Sequence, residues 1–265
     1  MACLMPSIDV PLERGRFGQT ARRDGWWIQP LLTFLALSGF IVYATWAGLQ
    51  GGHYACGPYL SPFYSPLLFS NAPGEHSWFG AQPSWIPAWV TGAMLILWAP
   101  GGFRVTCYYY RGAYYKAFWA DPPSCTVGEP RKKYLGERYF PLIIQNIHRY
   151  FLYIGIIFIG LLAHDAWKGF FGFGGFQIHV GSLVLLINVI LLGSYTFSCH
   201  SLRHIVGGVK DQLSRHKVRK AAYDCVSCLN RRHMLYAWCS LFWVAFSDLY
   251  VRMCSMGIWH DWRIL

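Results

Sequence analysis

Residues 141–163 read PLIIQNIHRYFLYIGIIFIGLLA, and the reading of this stretch decides what kind of molecule the chain makes. Apolar side chains fill nearly every position from Phe151 to Ala163, with no polar face repeating every three to four residues. A helix on a soluble core shows such a face, and this one does not. At about 1.5 Å per residue the run is long enough to cross roughly 30 Å of hydrocarbon. Its first turns nevertheless carry Gln145, Asn146, His148 and Arg149. Ionisable groups at membrane depth are costly and normally face a bundle interior or a cofactor.

Four other runs have the same character: Pro30–Leu49, Trp85–Phe103, Ile178–Cys199 and Met234–Val251. With 54% hydrophobic and only 13% charged residues, the chain reads as an all-α integral membrane bundle of five transmembrane helices in one domain, 1–265. The first run is too long for a signal-peptide core and is expected to remain as a span. Charge sets the orientation. Of the 23 Lys and Arg, four precede the first run, seven lie in 104–140 and eight in 201–232, while only Lys168, Arg252 and Arg263 fall on the opposite side. Basic residues stay on the cytoplasmic side, so the N-terminus is expected in the cytoplasm and the C-terminus outside. The net charge of +11 is therefore topology and not a nucleic-acid surface. Residues 50–84, rich in Gly, Pro and aromatics, are expected to lie on the outer membrane surface. No Walker loop, dinucleotide fingerprint or nucleophile elbow occurs, so chemistry here belongs to a cofactor or a partner.

The polar residues gather at the inner ends of the spans. His148 lies about two turns into the third, and His200 and His204 close the fourth in SCHSLRHIVGG. At the outer ends stand His164 and His179. Two such pairs suit a bis-histidine cytochrome carrying one or two haems b, although interfacial histidines reaching water are the plainer account of His164 and His179. Three cysteines share the inner level: Cys107, Cys125 and Cys199. The segment 107–125, CYYYRGAYYKAFWADPPSC, reads as an amphipathic extension that turns back at Pro122–Pro123. Two thiolates and two imidazoles form the ligand set of a Rieske-type [2Fe–2S] cluster. Membrane cysteines are as often small core residues, and the paired motifs of soluble Rieske domains are absent. Cys225-x-x-Cys228 before His233 looks like half a zinc site and reads as an exposed reduced pair. Cys56 and Cys254 both fall outside, where a disulfide is permitted. Asp248, near the outer end of the fifth run, is expected to cap toward water, with a proton-relay role as the sharper alternative.

Together QNIHRYF, CYYYRGAYYKAFWADPPSC and SCHSLRHIVGG, continuing to RHMLYAW in the fifth run, resemble the five-helix membrane-anchor subunit of a bacterial class of succinate dehydrogenase, respiratory complex II. Within that class the chain is similar to anchors holding a membrane-embedded Rieske-type cluster. The resemblance implies a flavoprotein subunit and an iron–sulfur subunit as partners on the cytoplasmic face. It also implies electron transfer from succinate oxidation through the cluster to membrane quinone, with no complete succinate site in this chain. Carried onto matching positions, it implies His148 and His204 as imidazole ligands, with His200 as the rival, and Cys125 with Cys107 or Cys199 as thiolates. Gln145, one turn before His148, is placed to orient its ring. Tyr110, Arg111, Tyr114 and Arg149 are candidates for the quinone headgroup. A haem b anchor is the alternative, and a transporter ranks last because no repeat or midplane helix break is visible.

Overall fold

The computed structural model describes residues 24–70, 76–118, 139–140, 142–208 and 212–265. Four of its helices are long and apolar enough to cross a membrane: α1 (Ile28–Gln50), α5 (His148–Phe171, extended at its start to Ile143), α6 (Val180–Phe197) and α9 (His233–Ser255). Their polarity is inverted relative to a soluble bundle. Leu32, Leu35, Ile41 and Val42 of α1 point outward, while Ser182, Asn188, Ser240, Ser247, Asp248 and Arg252 are buried between helices. Lipid offers apolar groups no reason to hide, so close packing and interhelical hydrogen bonds hold the helices together instead. Helix α6 sits at the centre, packed on α5 along one side and α9 along the other.

The second expected span differs. Residues 85–90, with Pro87 among them, form turns, and helix begins only after Thr91, whose hydroxyl oxygen accepts from Met94 N at 3.3 Å. Two short helices follow, α2 (Gly92–Ile96) and α3 (Trp98–Val105), meeting at Leu97. Pro100 explains the joint, because it has no N–H to offer the Ile96 carbonyl one turn back. Helix α3 then lies against α5 at Gly102, where a Cβ would stand 2.2 Å from the Phe151 ring.

Residues from four directions meet at each end of the bundle. At one end α3 turns through Thr106–Cys107 into α4 (Tyr108–Phe118), α5 begins, α6 ends at Ser198–Cys199 before α7 (His200–Gly207), and α8 (Lys217–Asn230) leads into α9. At the other end lie the hairpin β1–β2 (Ala55–Cys56, Tyr59–Leu60), the turn Pro62–Tyr64 and the C-terminal tail. The tail pairs Ile178 with Leu265, and the Asp261 carboxylate accepts Gly181 N at 2.9 Å, filling an open donor at the start of α6.

Three carboxylates fasten residues 59–65 across this second end. Tyr59 donates to Asp261 at 2.7 Å, Ser61 to Asp248 and Ser65 to Asp165. Asp248 does not cap toward water as expected from the sequence. It is fully buried, accepts the Tyr43 hydroxyl at 2.6 Å, and pairs with Arg252 one turn on at 3.4 Å. Arg252, equally buried, spends its other donors on the Ala47 and Gly52 carbonyls and lies over the Trp46 ring. A buried charge pair of this kind needs every lone pair and proton matched, and here Ser61, Tyr43 and the Ala47 and Gly52 carbonyls supply the matches.

Candidate metal centre

The first end of the bundle holds two imidazoles and two thiols in a crossed arrangement. His148, the first residue of α5 and 1% exposed, directs Nε2 at Cys199 Sγ, 2.9 Å away. Its Nδ1 lies 2.8 Å from Thr106 Oγ1. The Thr106 hydroxyl already donates to the Gly102 carbonyl at 2.7 Å, so it receives the proton of Nδ1–H and leaves Nε2 as the ring's free lone pair. Phe103 stacks on this ring with centroids 4.7 Å apart and planes 9° from parallel.

His233, the first residue of α9, repeats the pattern. Its Nδ1 stands 2.7 Å from Ser198 Oγ, whose proton goes to the Tyr195 carbonyl at 3.0 Å. Its Nε2 turns to Cys107 Sγ at 3.5 Å, and Tyr195 stacks on the ring at 5.1 Å. The supports come from two matching stretches, FRVTC (103–107) and YTFSC (195–199). In each, the aromatic stacks on one imidazole, the hydroxyl three residues later orients that same imidazole, and the adjacent thiol faces the other imidazole. Both stretches occur where a helix ends at this level of the bundle, so the two sets interlock. Cys107 and Cys199 are both buried, and each lies within electrostatic reach of the other.

Of the residues singled out from sequence, His148, Cys107 and Cys199 come together here. Cys125 lies outside the described residues. His204 does not join the group. The helix breaks at Ser198–Cys199 and restarts as α7, which carries His204 to the surface beside Arg149, 3.3 Å from its Nη2. His200, also exposed, meets the edge of Tyr108, within electrostatic reach of His148 and His233 but hydrogen-bonded to neither among the described residues. Gln145 is buried but its Oε1 reaches no partner, and Thr106 performs the ring-orienting role expected of it. His233 was missed because in sequence it stands beside Cys225 and Cys228, which lie exposed on α8 as expected of them. At the far end His179 contacts Asp261 at 3.2 Å and Gln177 at 3.1 Å, while His164 is exposed beside Asp165 and Trp78.

Beside the crossed pairs opens an apolar cleft of about 380 Å³ between α1, α3, α4, α5 and α9. Phe103 and Tyr195, the two stacking rings, form part of its wall. Arg104 is the cation in it. It donates to Tyr110 Oη at 3.1 Å, the Ala237 carbonyl at 3.2 Å and Ser240 Oγ at 2.9 Å, and lies over the Tyr195 ring at 4.7 Å. Tyr110 donates to the Ala237 carbonyl, and Tyr114 to the Arg104 carbonyl. Burial pushes the Tyr110 phenol up to about 12 despite the guanidinium, so it remains a protonated donor. Of the four residues proposed from sequence for a quinone headgroup, Tyr110 and Tyr114 line this cleft, whereas Arg111 rests over Tyr108 and Arg149 over α7.

Among the described residues no three His, Cys, Asp or Glu side chains converge closely enough to hold a single metal ion. A centre drawing two ligands to each of two metals asks for something else: two thiols and two imidazoles with their lone pairs turned inward. That donor set fits what is present here.

A family model described as Actinobacterial succinate dehydrogenase subunit SdhC matches residues 28–257. Among solved structures, a chain of the Mycobacterium smegmatis Sdh1 complex in the apo form is 42% identical, with a TM-score of 0.86 over 93% of this chain and 94% of that one. No curated protein sequence matches.

Proposed function

Since this chain belongs to the actinobacterial SdhC family, the membrane subunits of succinate dehydrogenase, we propose that its crossed His–Cys pairs are the electron-transfer centre between the soluble subunits and membrane quinone. It is a multi-pass subunit of the bacterial membrane, assembled with a flavoprotein and an iron–sulfur subunit. The sequence concentrates its basic residues in 104–140 and 201–232, whose described parts lie at the end of the bundle that carries the pairs. By the positive-inside rule that end is the cytoplasmic one, facing those partners, with α1 entered from that side and the tail after α9 outside.

The observation that carries the reading is the position of the two Nε2 and two Sγ atoms at one level, with His148, Cys107 and Cys199 buried, His233 partly so, and each imidazole held by its other nitrogen. A Rieske-type [2Fe–2S] cluster would be held by Cys107, Cys199, His148 and His233, with His233 in the place expected of His204. Such a group supplies one-electron transfer when bound. The chain's own residues do the rest. Thr106 and Ser198 fix each ring's tautomer and direction, which raises the basicity of the ligating nitrogen. Phe103 and Tyr195 exclude water and separate the pairs from the apolar cleft by the thickness of a ring. The cleft takes the quinone, with Arg104, Tyr110 and Tyr114 at its polar end in place of Arg111 and Arg149, and the long apolar wall toward Leu162 and Phe63 for a prenyl tail. Arg104 stabilises negative charge developing on a quinone oxygen, and the Tyr110 phenol is a donor at the same place.

The test is the purified three-subunit complex carrying His233→Ala beside His204→Ala. His233→Ala is expected to lose the iron and acid-labile sulfide of one cluster and its electron paramagnetic resonance signal. It should abolish quinone reduction and leave succinate oxidation by a soluble dye. His204→Ala is expected to keep all of these. A sharp haem α-band in the wild-type reduced-minus-oxidised spectrum, or full quinone reduction by His233→Ala, would overturn the assignment.

A further inference from the structure

The outer end of the bundle carries its own thiol pair. Cys56 ends the short strand β1, and Cys254 lies in the last turn of α9. Strand β1 packs directly on α9, and Cys56 rests against the small buried cluster that Cys254 forms with Val184 and Tyr250. The two thiols are within electrostatic reach of each other. Cys56 is partly open to solvent, so a reagent can reach it, whereas Cys254 is 9% exposed. Both are thiols here. Cys107 and Cys199, the two other buried thiols among the described residues, sit at the opposite end of the bundle and are already engaged.

We infer that Cys56 and Cys254 are a disulfide site, closed on the outer face of the membrane. This rests on the orientation argued above, since only that face is oxidising enough to keep such a bond. The reaction is thiol–disulfide exchange with an outer-face thiol oxidoreductase that arrives as a disulfide. One cysteine thiolate attacks it to form a mixed disulfide, and the second thiolate displaces the enzyme's sulfur. One Sγ–Sγ bond forms here, two S–H bonds break, and the oxidoreductase leaves as a dithiol carrying the two electrons and two protons. The structural consequence follows from what β1 begins. Tyr59, Ser61 and Ser65 immediately after it are the residues fastened to Asp261, Asp248 and Asp165. A bond at Cys56 anchors the upstream end of that strap covalently to α9, three residues before its first carboxylate contact.

The experiment uses the complete complex, prepared from cells lysed in N-ethylmaleimide without reductant and digested under non-reducing conditions. The expected result is a linked peptide pair containing Cys56 and Cys254 that separates on reduction. Recovery of both cysteines as maleimide adducts would overturn the proposal. Intact cells treated with an impermeant reductant and then an impermeant maleimide separate this from the orientation. Labelling of Cys56 only after that reduction supports both, labelling without reduction overturns the disulfide alone, and labelling only in permeabilised cells overturns both. Cys56→Ser is expected to free Cys254 for alkylation once the complex is denatured, and to lower the melting temperature of the complex by a few degrees, an effect that reductant reproduces in the wild type.

Discussion

Each imidazole at the inner end is defined by a hydroxyl as much as by a thiol. Thr106 has one proton, and it goes to the Gly102 carbonyl, so its oxygen can only accept from His148. Thr106→Val keeps the shape and removes the acceptor, leaving a buried Nδ1–H without a partner and freeing the ring to flip. Outer partners of this kind are worth about 10–100-fold in metal affinity or activity. The variant is expected to lose quinone reduction by that factor, with a matching fall in iron and sulfide per complex, while Thr106→Ser restores both. Unchanged iron content and turnover in Thr106→Val would remove the orienting role. At this scale much was legible: His148, Cys107 and Cys199 stand out because ionisable and thiol groups collect where the apolar runs end. His233 was not legible, because adjacency to Cys225 and Cys228 in the chain suggested the wrong partners. The FRVTC and YTFSC match was also invisible as a repeat, since it shares only an aromatic, a hydroxyl and a thiol, and gains meaning once α3 and α6 end at the same level. Arg104 was counted with the cytoplasmic charges, and only the fold turns it into the cleft.

The elements show where hydropathy succeeds and where it stops. Four of the five apolar runs fold as long helices, three near their expected bounds and the third continuing from 163 to Phe171, because an apolar run has no other way to satisfy its backbone in lipid. The second run was legible as apolar but not as broken, because Pro100 acts on the carbonyl one turn back and its effect appears at Leu97. The displacement matters to the site. Helix α3 ends at Val105, which sets Thr106 beside His148 and Cys107 beside His233, and it reaches α5 through the missing side chain of Gly102. Gly102→Ala puts a methyl 2.2 Å from the Phe151 ring, and overpacking of this kind costs about 1–3 kcal/mol. The expected outcome is a lower melting temperature together with weakened quinone reduction, because α3 must retreat and carry Thr106 with it. Pairing with Phe151→Leu, which opens the space, should recover part of both. Failure of that pair to recover anything would place the cost elsewhere than at this contact.

Across the whole molecule the two ends divide the work. The inner end keeps imidazoles and thiols beside an apolar cleft that Arg104 lines, and the outer end sets the buried Asp165 and Asp248 and the half-buried Asp261 to hold a strap of loop. Charge counting supports the orientation proposed for the bundle, yet gave no hint of the strap, because its contacts join residues some hundred to two hundred positions apart. Arg252 was counted from sequence among the outer-side charges, and the fold makes it the fully buried partner of Asp248. Removing one member of a buried pair strands the other, which costs about 3–5 kcal/mol, far more than removing both together. Asp248→Ala is therefore expected to lower the melting temperature of the complex strongly, and the double variant Asp248→Leu/Arg252→Met to lower it less than the single. Below its melting point the single variant should keep its iron and sulfide and its rate of quinone reduction, because no atom of the outer network touches the inner pairs. If Asp248→Ala slowed quinone reduction in a complex still folded and fully loaded with iron, the carboxylate would belong to the reaction, as a proton group reaching the cleft from the far side, and the division between a redox end and a holding end would fail.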